Sequence, residues 1–290
     1  MRSVEGFKDY ELIDADSGER LERWGDIILV RPDPQVIWSG ERKNPLWYNP
    51  HAKYYRSNSG GGHWETRKKV PDVWSIKYDD LTFRLKPMGF KHTGLFPEQA
   101  VNWSLAKKLI ENANREISVL NLFAYTGGAT IACLSAGASV THVDASKGMV
   151  QWAKENAAVS GLSDCNVRWL VDDCLKFVKR EIRRGKKYDA IIMDPPSYGR
   201  GPNGEVWKLE QQLTELLTET GKLLSDNALF FFLNSYTGGL SHTILDYMVS
   251  EYVVKGRGGK VYTDEIGLPI TEKGFSMPCG NTTVWTSENG

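Results

Sequence analysis

Cysteine is scarce. Only Cys133, Cys165, Cys174 and Cys279 occur in 290 residues, and none forms a C-x-x-C pair or falls at a zinc spacing. A structural zinc site or a disulfide framework is therefore excluded as the organising device, no metal is expected, and reduced thiols in a cytoplasmic protein are expected. Long apolar runs are also missing: nothing approaches the roughly 20 residues that a membrane-spanning helix needs, so no membrane partner is expected. The opening residues, MRSVEGFKDYELID, contain no apolar stretch of the secretory kind, which again points to a cytoplasmic address. Net charge is absent, with 36 basic against 36 acidic residues. Binding of nucleic acid through bulk charge alone is thereby disfavoured. Internal repeats are absent as well.

What is present is an ordinary globular composition, 41% hydrophobic and 25% charged, long enough to bury a full core and a second, smaller one. The expected division is a β-rich subdomain over residues 1–85 and a larger α/β domain over residues 86–290. Within the larger part, the stretch from Val119 to Pro196 organises the rest. Apolar runs of four to eight residues alternate there with helical patterns, as in βαβ units of a parallel sheet. Polar residues interrupt the strands at their carboxyl ends: Asn121 and Tyr125, then Asp144, then Asp172 and Asp173, then Asp194. Open α/β sheets bind ligands outside those ends, where the strand order reverses.

Each interruption suggests a role. Gly127 and Gly128 permit a sharp turn into a helix near Thr130 and close approach of a ligand to the main chain. Asp144 can accept from both hydroxyls of a ribose; its competing role is a helix N-cap. Either Asp172 or Asp173 can accept from an adenine amino group, and one of the two serves only as a cap. Asp194-Pro195-Pro196 fixes φ twice and removes two donors, which leaves rigidly held carbonyls free to accept. A G-x-G-x-x-G fingerprint is missing after the first strand, so an NAD-type oxidoreductase on a related sheet is the weaker alternative.

Taken in order, these features resemble class I S-adenosylmethionine (SAM) dependent methyltransferases. Lys91-His92-Thr93-Gly94-Leu95-Phe96-Pro97-Glu98-Gln99, Asn121-Leu122-Phe123-Ala124-Tyr125-Thr126-Gly127-Gly128 and Asp194-Pro195-Pro196-Ser197-Tyr198 are similar to the ribosomal RNA methyltransferases of the RlmI and RlmK type, over about residues 86–290. The resemblance implies a Rossmann-like, mostly parallel sheet of seven strands, the last antiparallel. It implies SAM as cofactor, held by Lys91, Gln99, Asn121, Phe123, Ala124, Tyr125, Gly127, Asp144, Ala145, Ser146, Asp172, Asp173, Cys174 and Asp194. Asp194, Pro195 and Tyr198 would then grip the acceptor base, and RNA, ribosomal in the family, is the implied substrate; a protein or small-molecule acceptor is the alternative. Amino-methylating relatives carry the aromatic directly after Pro-Pro, whereas Ser197 intervenes here. Cytosine C5 methylation needs a thiolate near the end of the fifth strand, where this chain has Leu233-Asn234-Ser235-Tyr236. Nitrogen methylation is therefore preferred, and Cys279 is expected to be a packed residue.

Short strand-like runs and turn chemistry at Asp16-Ser17-Gly18 and Pro32-Asp33-Pro34 mark the N-terminal part as β-rich. The stretch from Glu41 to Lys69 is loop-like by composition, and a hairpin is expected around Asp79-Asp80. Trp38, Trp47, Tyr48, Tyr54, Tyr55 and Trp64 either fill a small core or stack on unpaired bases. The basic run from Lys176 to Lys187 is either a solvated helix face or an RNA-backbone contact.

Overall fold

The computed structural model describes residues 1–57, 61–200 and 206–288; residues 58–60 of the Gly-rich N-terminal stretch and residues 201–205 of the run after Asp194-Pro195-Pro196 lie outside them. The chain divides into two compact units. One comprises Ser3–Val101 and Gly267–Cys279, the other Met1–Arg2, Asn102–Ile266 and Gly280–Gly290. Residues 86–101 and 267–279, read with the larger domain from sequence, group here with the N-terminal residues.

The N-terminal unit is mostly strand. After the two-residue β1 (Arg2–Ser3), an antiparallel meander runs through β2 (Tyr10–Asp16), β3 (Glu19–Trp24) and β4 (Ile27–Pro32). Its first turn is Ser17-Gly18, with φ of +48° and +78°, the tight two-residue geometry that matches the right-handed twist of the flanking strands. β5 (Ala52–Arg56) pairs in parallel with β4, and β6 (Gly62–Thr66) returns beside β5. The loop-like stretch thus contains a hairpin. Only Ala52 and Tyr54 of β5 are buried, too short an inward alternation to stand out from its polar and glycine-rich flanks. β7 (Trp74–Tyr78) and β8 (Leu81–Leu85) form the second hairpin, turning at Asp79 as the sequence indicates. Trp47 and Tyr54 are buried, and Trp38, Trp47 and Trp64 each donate their indole N–H within the unit, so these rings serve largely as core.

The second unit is doubly wound. In chain order it has α1 (Ala100–Asn112), β9 (Ser118–Leu122), α2 (Gly128–Ser135), β10 (Ser139–Asp144), α3 (Lys147–Val159), β11 (Val167–Val171), α4 (Cys174–Arg183) and β12 (Ala190–Met193). Then follow β13 (Tyr198–Arg200), β14 (Val206–Lys208), α5 (Leu209–Gly221), β15 (Phe230–Ser235), α6 (His242–Tyr252), β16 (Lys260–Ile270) and β17 (Phe275–Thr286), of which residues 267–270 and 275–279 fall in the N-terminal unit. The sheet order is β11-β10-β9-β12-β15-β17-β16, with the first five strands parallel and β17 antiparallel to β15.

Alternate residues of each strand feed two separate cores. Phe231, Leu233, Ile191 and Leu120 pack with α4, α5 and α6 on one face; Phe230, Phe232, Ile192 and Val119 pack with α1 and α2 on the other. Burial on both faces explains why these strands read as continuous apolar runs. Local signals set the helix ends. Ser146, Asp173 and Ser241 cap α3, α4 and α6 through their side chains, and Gly161 closes α3 at φ +74°. The strand order reverses between β9 and β12, so the loops leaving those two strands flank the crevice.

Candidate active site

The loop from Phe123 to Gly127 leaves β9 in an unusual conformation. Phe123 and Tyr125, neither of them glycine, hold φ of +54° and +50°. Such residues cost about 1–3 kcal/mol each and persist only where the surroundings over-determine them. Here they do. The Phe123 N–H donates to Cys174 Sγ (3.2 Å), the Ala124 N–H to the Val143 carbonyl (3.1 Å) and the Tyr125 N–H to Asp144 Oδ2 (2.8 Å). Asn156, buried on α3, donates to the Thr126 carbonyl at 2.8 Å, and the Gly127 N–H returns to the Ala124 carbonyl at 3.0 Å.

The glycines have packing reasons. A Cβ on Gly127 would stand 2.8 Å from the Ala153 methyl, and one on Gly128 would stand 2.6 Å from the Trp103 ring. Gly127 also sits at φ +83°, so any side chain there meets α3 and backbone strain together.

Asp144 ends β10 with both oxygens partly engaged. Oδ2 accepts from Tyr125, and Oδ1 accepts from the Ser146 N–H at 2.8 Å. The helix cap is Ser146, not Asp144, so the carboxylate keeps lone pairs for a ligand. Burial raises its pKa above the ordinary carboxylate value, opposed by the Ser146 and Tyr125 N–H groups. Ala145 lies between these two residues. At the end of β11, Asp172 pairs with Arg180, while Asp173 caps α4 through the Lys176 N–H at 2.8 Å. Cys174 is buried, and burial pushes its thiol well up, so it is a neutral bridge that also points toward the Val143 carbonyl.

Asp194 follows β12, its N–H on the Leu122 carbonyl at 3.3 Å. The Pro196 carbonyl is not free as the two prolines suggest: Trp207 Nε1 donates to it at 2.6 Å, and the Trp207 ring lies 5.6 Å from that of Phe123. Tyr198 opens the β13–β14 hairpin opposite Lys208 and is exposed. Trp207 escapes a sequence reading because the hairpin that brings it back to Pro196 carries no strong period.

Three expected residues stand elsewhere. Asn121 is buried, and its amide turns to Thr130 on α2 at 2.9 Å. Lys91 and Gln99 belong to the other unit. There Lys91 donates to the Pro32 carbonyl at 3.1 Å, and burial lowers it to about 8, with Asp33 opposing and the Arg31 and Arg20 charges reinforcing the drop. At the end of β15, Asn234 takes the place of a nucleophile and is buried, accepting from Asn102 (3.0 Å) and Thr282 (2.8 Å). Cys279 is also in the other unit, buried beside Arg20. Ion pairs Lys179–Glu215, Arg180–Asp172 and Arg184–Glu181 compensate much of the basic run. Among the described residues no cluster of metal-ligating side chains occurs, and no helix is long and apolar enough to cross a membrane.

A seven-stranded doubly wound sheet with an antiparallel β17, a strained glycine loop at the switch point and acids at successive strand ends defines the class I SAM-dependent methyltransferases. The donor set suits an adenosine-bearing cofactor: a carboxylate with spare acceptor capacity beside a loop whose shape is already held. The chain belongs to the S-adenosylmethionine-dependent methyltransferase family, whose model matches residues 47–231. It is an enzyme of that class, and the NAD-type alternative is not favoured.

Among curated relatives, the ribosomal RNA large subunit methyltransferase K/L of Shewanella frigidimarina (strain NCIMB 400) is 37% identical over 254 residues, 80% of this chain and 35% of that protein. The protein of the same name from Shewanella pealeana is 34% identical over 252 residues, 80% of this chain and 34% of that one. The chain thus spans about a third of the length of these relatives. A crystal structure of a SAM-dependent methyltransferase from Agrobacterium tumefaciens superposes with a TM-score of 0.93 at 35% identity, over 99% of this chain and 93% of that one.

Proposed function

We propose that the protein transfers the methyl group of SAM to a nitrogen of a base in ribosomal RNA, at the crevice between the β9 and β12 loops. The observation that carries the nitrogen assignment is the end of β15. A buried, doubly bonded Asn234 stands where carbon methylation of cytosine needs a thiolate, and Cys279 is buried with its thiol pushed up by burial. RNA as acceptor is supported by the names of the curated relatives.

When bound, SAM supplies an electrophilic methyl on a sulfonium, and its transfer is an in-line displacement that needs alignment more than chemistry. Asp144 would hold the ribose through its remaining lone pairs, and Asp173 the adenine through the oxygen not spent on the cap. Asp194 and the Pro195 carbonyl would accept from the base to be methylated, since the Pro196 carbonyl is engaged by Trp207. Tyr198, exposed at the hairpin, would stack on that base. A ribosomal substrate also implies a cytoplasmic enzyme. Mass spectrometry of ribosomal RNA nucleosides from cells lacking the protein tests this directly. Loss of one N-methylated species is expected; an unchanged nucleoside profile, or loss of a C5-methylated cytosine, would overturn it.

A further inference from the structure

Behind the glycine loop lies a buried polar row that the donor contacts do not use. In the parallel register, Asn121 on β9 stands beside His142 on β10, and His142 beside Trp169 on β11. Asn121, Thr130 and His142 are all buried, Thr130 and His142 completely. Thr130 Oγ1 accepts from Asn121 Nδ2 at 2.9 Å and lies 2.9 Å from His142 Nδ1. With one lone pair taken by the amide, the hydroxyl keeps a second lone pair and its proton, so the bond to Nδ1 runs in the direction that the imidazole tautomer sets. Burial lowers the imidazole to about 3, so His142 is neutral.

Its Nε2 has no hydrogen-bond partner among the described residues. Buried polar groups in folded proteins are usually satisfied, and this unpartnered one lies directly behind the glycine loop. Its ring packs against Trp169 at 4.9 Å, and its Cε1 lies 3.7 Å from where a Gly127 Cβ would be. The imidazole therefore supports Gly127, while Thr130 belongs to the first turn of the helix that Gly127 opens.

We propose that Asn121, Thr130 and His142 form a positioning relay that holds the Phe123–Gly127 loop in its donor-binding shape. The relay sets donor affinity and leaves the transfer step alone. It rests on the reading that this loop carries SAM. These residues touch no reacting atom; they act through Gly127, which the imidazole backs, and through the first turn of α2, which Thr130 holds.

Thr130→Val removes the hydroxyl at nearly constant shape, and Thr130→Ser retains it. Calorimetry with SAM should show Thr130→Val binding about tenfold more weakly or worse, the scale of a lost buried hydrogen bond, and Thr130→Ser recovering. KM for SAM should rise with kcat within about twofold. Exchange of the Tyr125 amide in the ligand-free protein should quicken in Thr130→Val. The combined variant Asn121→Leu, Thr130→Val, His142→Phe removes every partner at once, so thermal stability should return; affinity should not. Thr130→Val binding within twofold of wild type, or the combined variant binding like wild type, would sink the relay. Absence of SAM binding by the unaltered protein would instead sink the reading of the loop.

Discussion

Replacing Asp144 with asparagine separates donor binding from folding. In the ligand-free protein the carboxylate accepts one backbone N–H on each oxygen, Tyr125 at 2.8 Å and Ser146 at 2.8 Å. Asparagine keeps one acceptor and turns an NH₂ toward the other N–H, losing about 1–3 kcal/mol for an unsatisfied donor. Against that, the substitution removes a charge that burial disfavours, as the raised pKa records. The two effects oppose, so the melting temperature should move by no more than about 5 °C. Donor affinity has no such offset. Each ribose hydroxyl donating to a carboxylate is a charge-assisted bond of about 1.5–3 kcal/mol, one of which is lost and the other weakened. A combined loss of about 2–4 kcal/mol corresponds to roughly 30- to 1,000-fold in Kd. Acid should act on the same group with two opposite signs. A carboxyl whose folded pKa is raised binds its proton more tightly when folded, so as pH falls through that value folding gains from this group while donor affinity declines. Titration calorimetry with SAM and thermal melts, both against pH, measure the two. An Asp144→Asn variant that binds SAM within threefold of wild type refutes the assignment of Asp144 to the ribose.

Three further outcomes follow from the same geometry. Cys279→Ser should keep full turnover in a labelled-methyl assay, because the thiol is buried and burial holds it protonated; loss of turnover with intact SAM binding would reinstate it as a nucleophile. Asp194→Ala should abolish methyl transfer to bulk RNA, whereas persistent transfer would remove Asp194 from the acceptor clamp. In the N-terminal unit, Arg31 reaches Glu22 through bonds of 2.6 and 2.7 Å, and Tyr10 adds a third at 2.9 Å. Burial alone would raise Glu22, but the Arg31 charge overrides it and holds the carboxyl below its usual value. Glu22→Gln leaves a buried guanidinium short of its counter-charge and should cost about 3–5 kcal/mol in denaturant unfolding. The depressed pKa also means that this pair's contribution is present above the unfolded carboxyl's pKa and is lost as pH falls through the folded value.

Local pattern decided a good deal. Apolar runs against helical periods specify the alternating strands and helices, and the same local reading offers Asp144 and one of Asp172 and Asp173 as helix caps, of which Asp173 alone caps a helix in the structure. The βαβ alternation and the crevice-lining loops were legible for that reason; the count of seven strands and the antiparallel last one came from the family resemblance. Tertiary structure decided what pairs across long separations. Whether Asp144 capped its own helix was open until Ser146 took that bond. Asn121, read as a ligand, turns inward because parallel register sets it beside His142 and below Thr130. Trp207 reaches the Pro196 carbonyl only once a hairpin folds back, and residues 267–279 join the N-terminal unit only through pairing with strands some 250 positions earlier, such as Ile270 with Leu12. A side chain's partner at that distance is chosen by topology, which no short window of residue types contains.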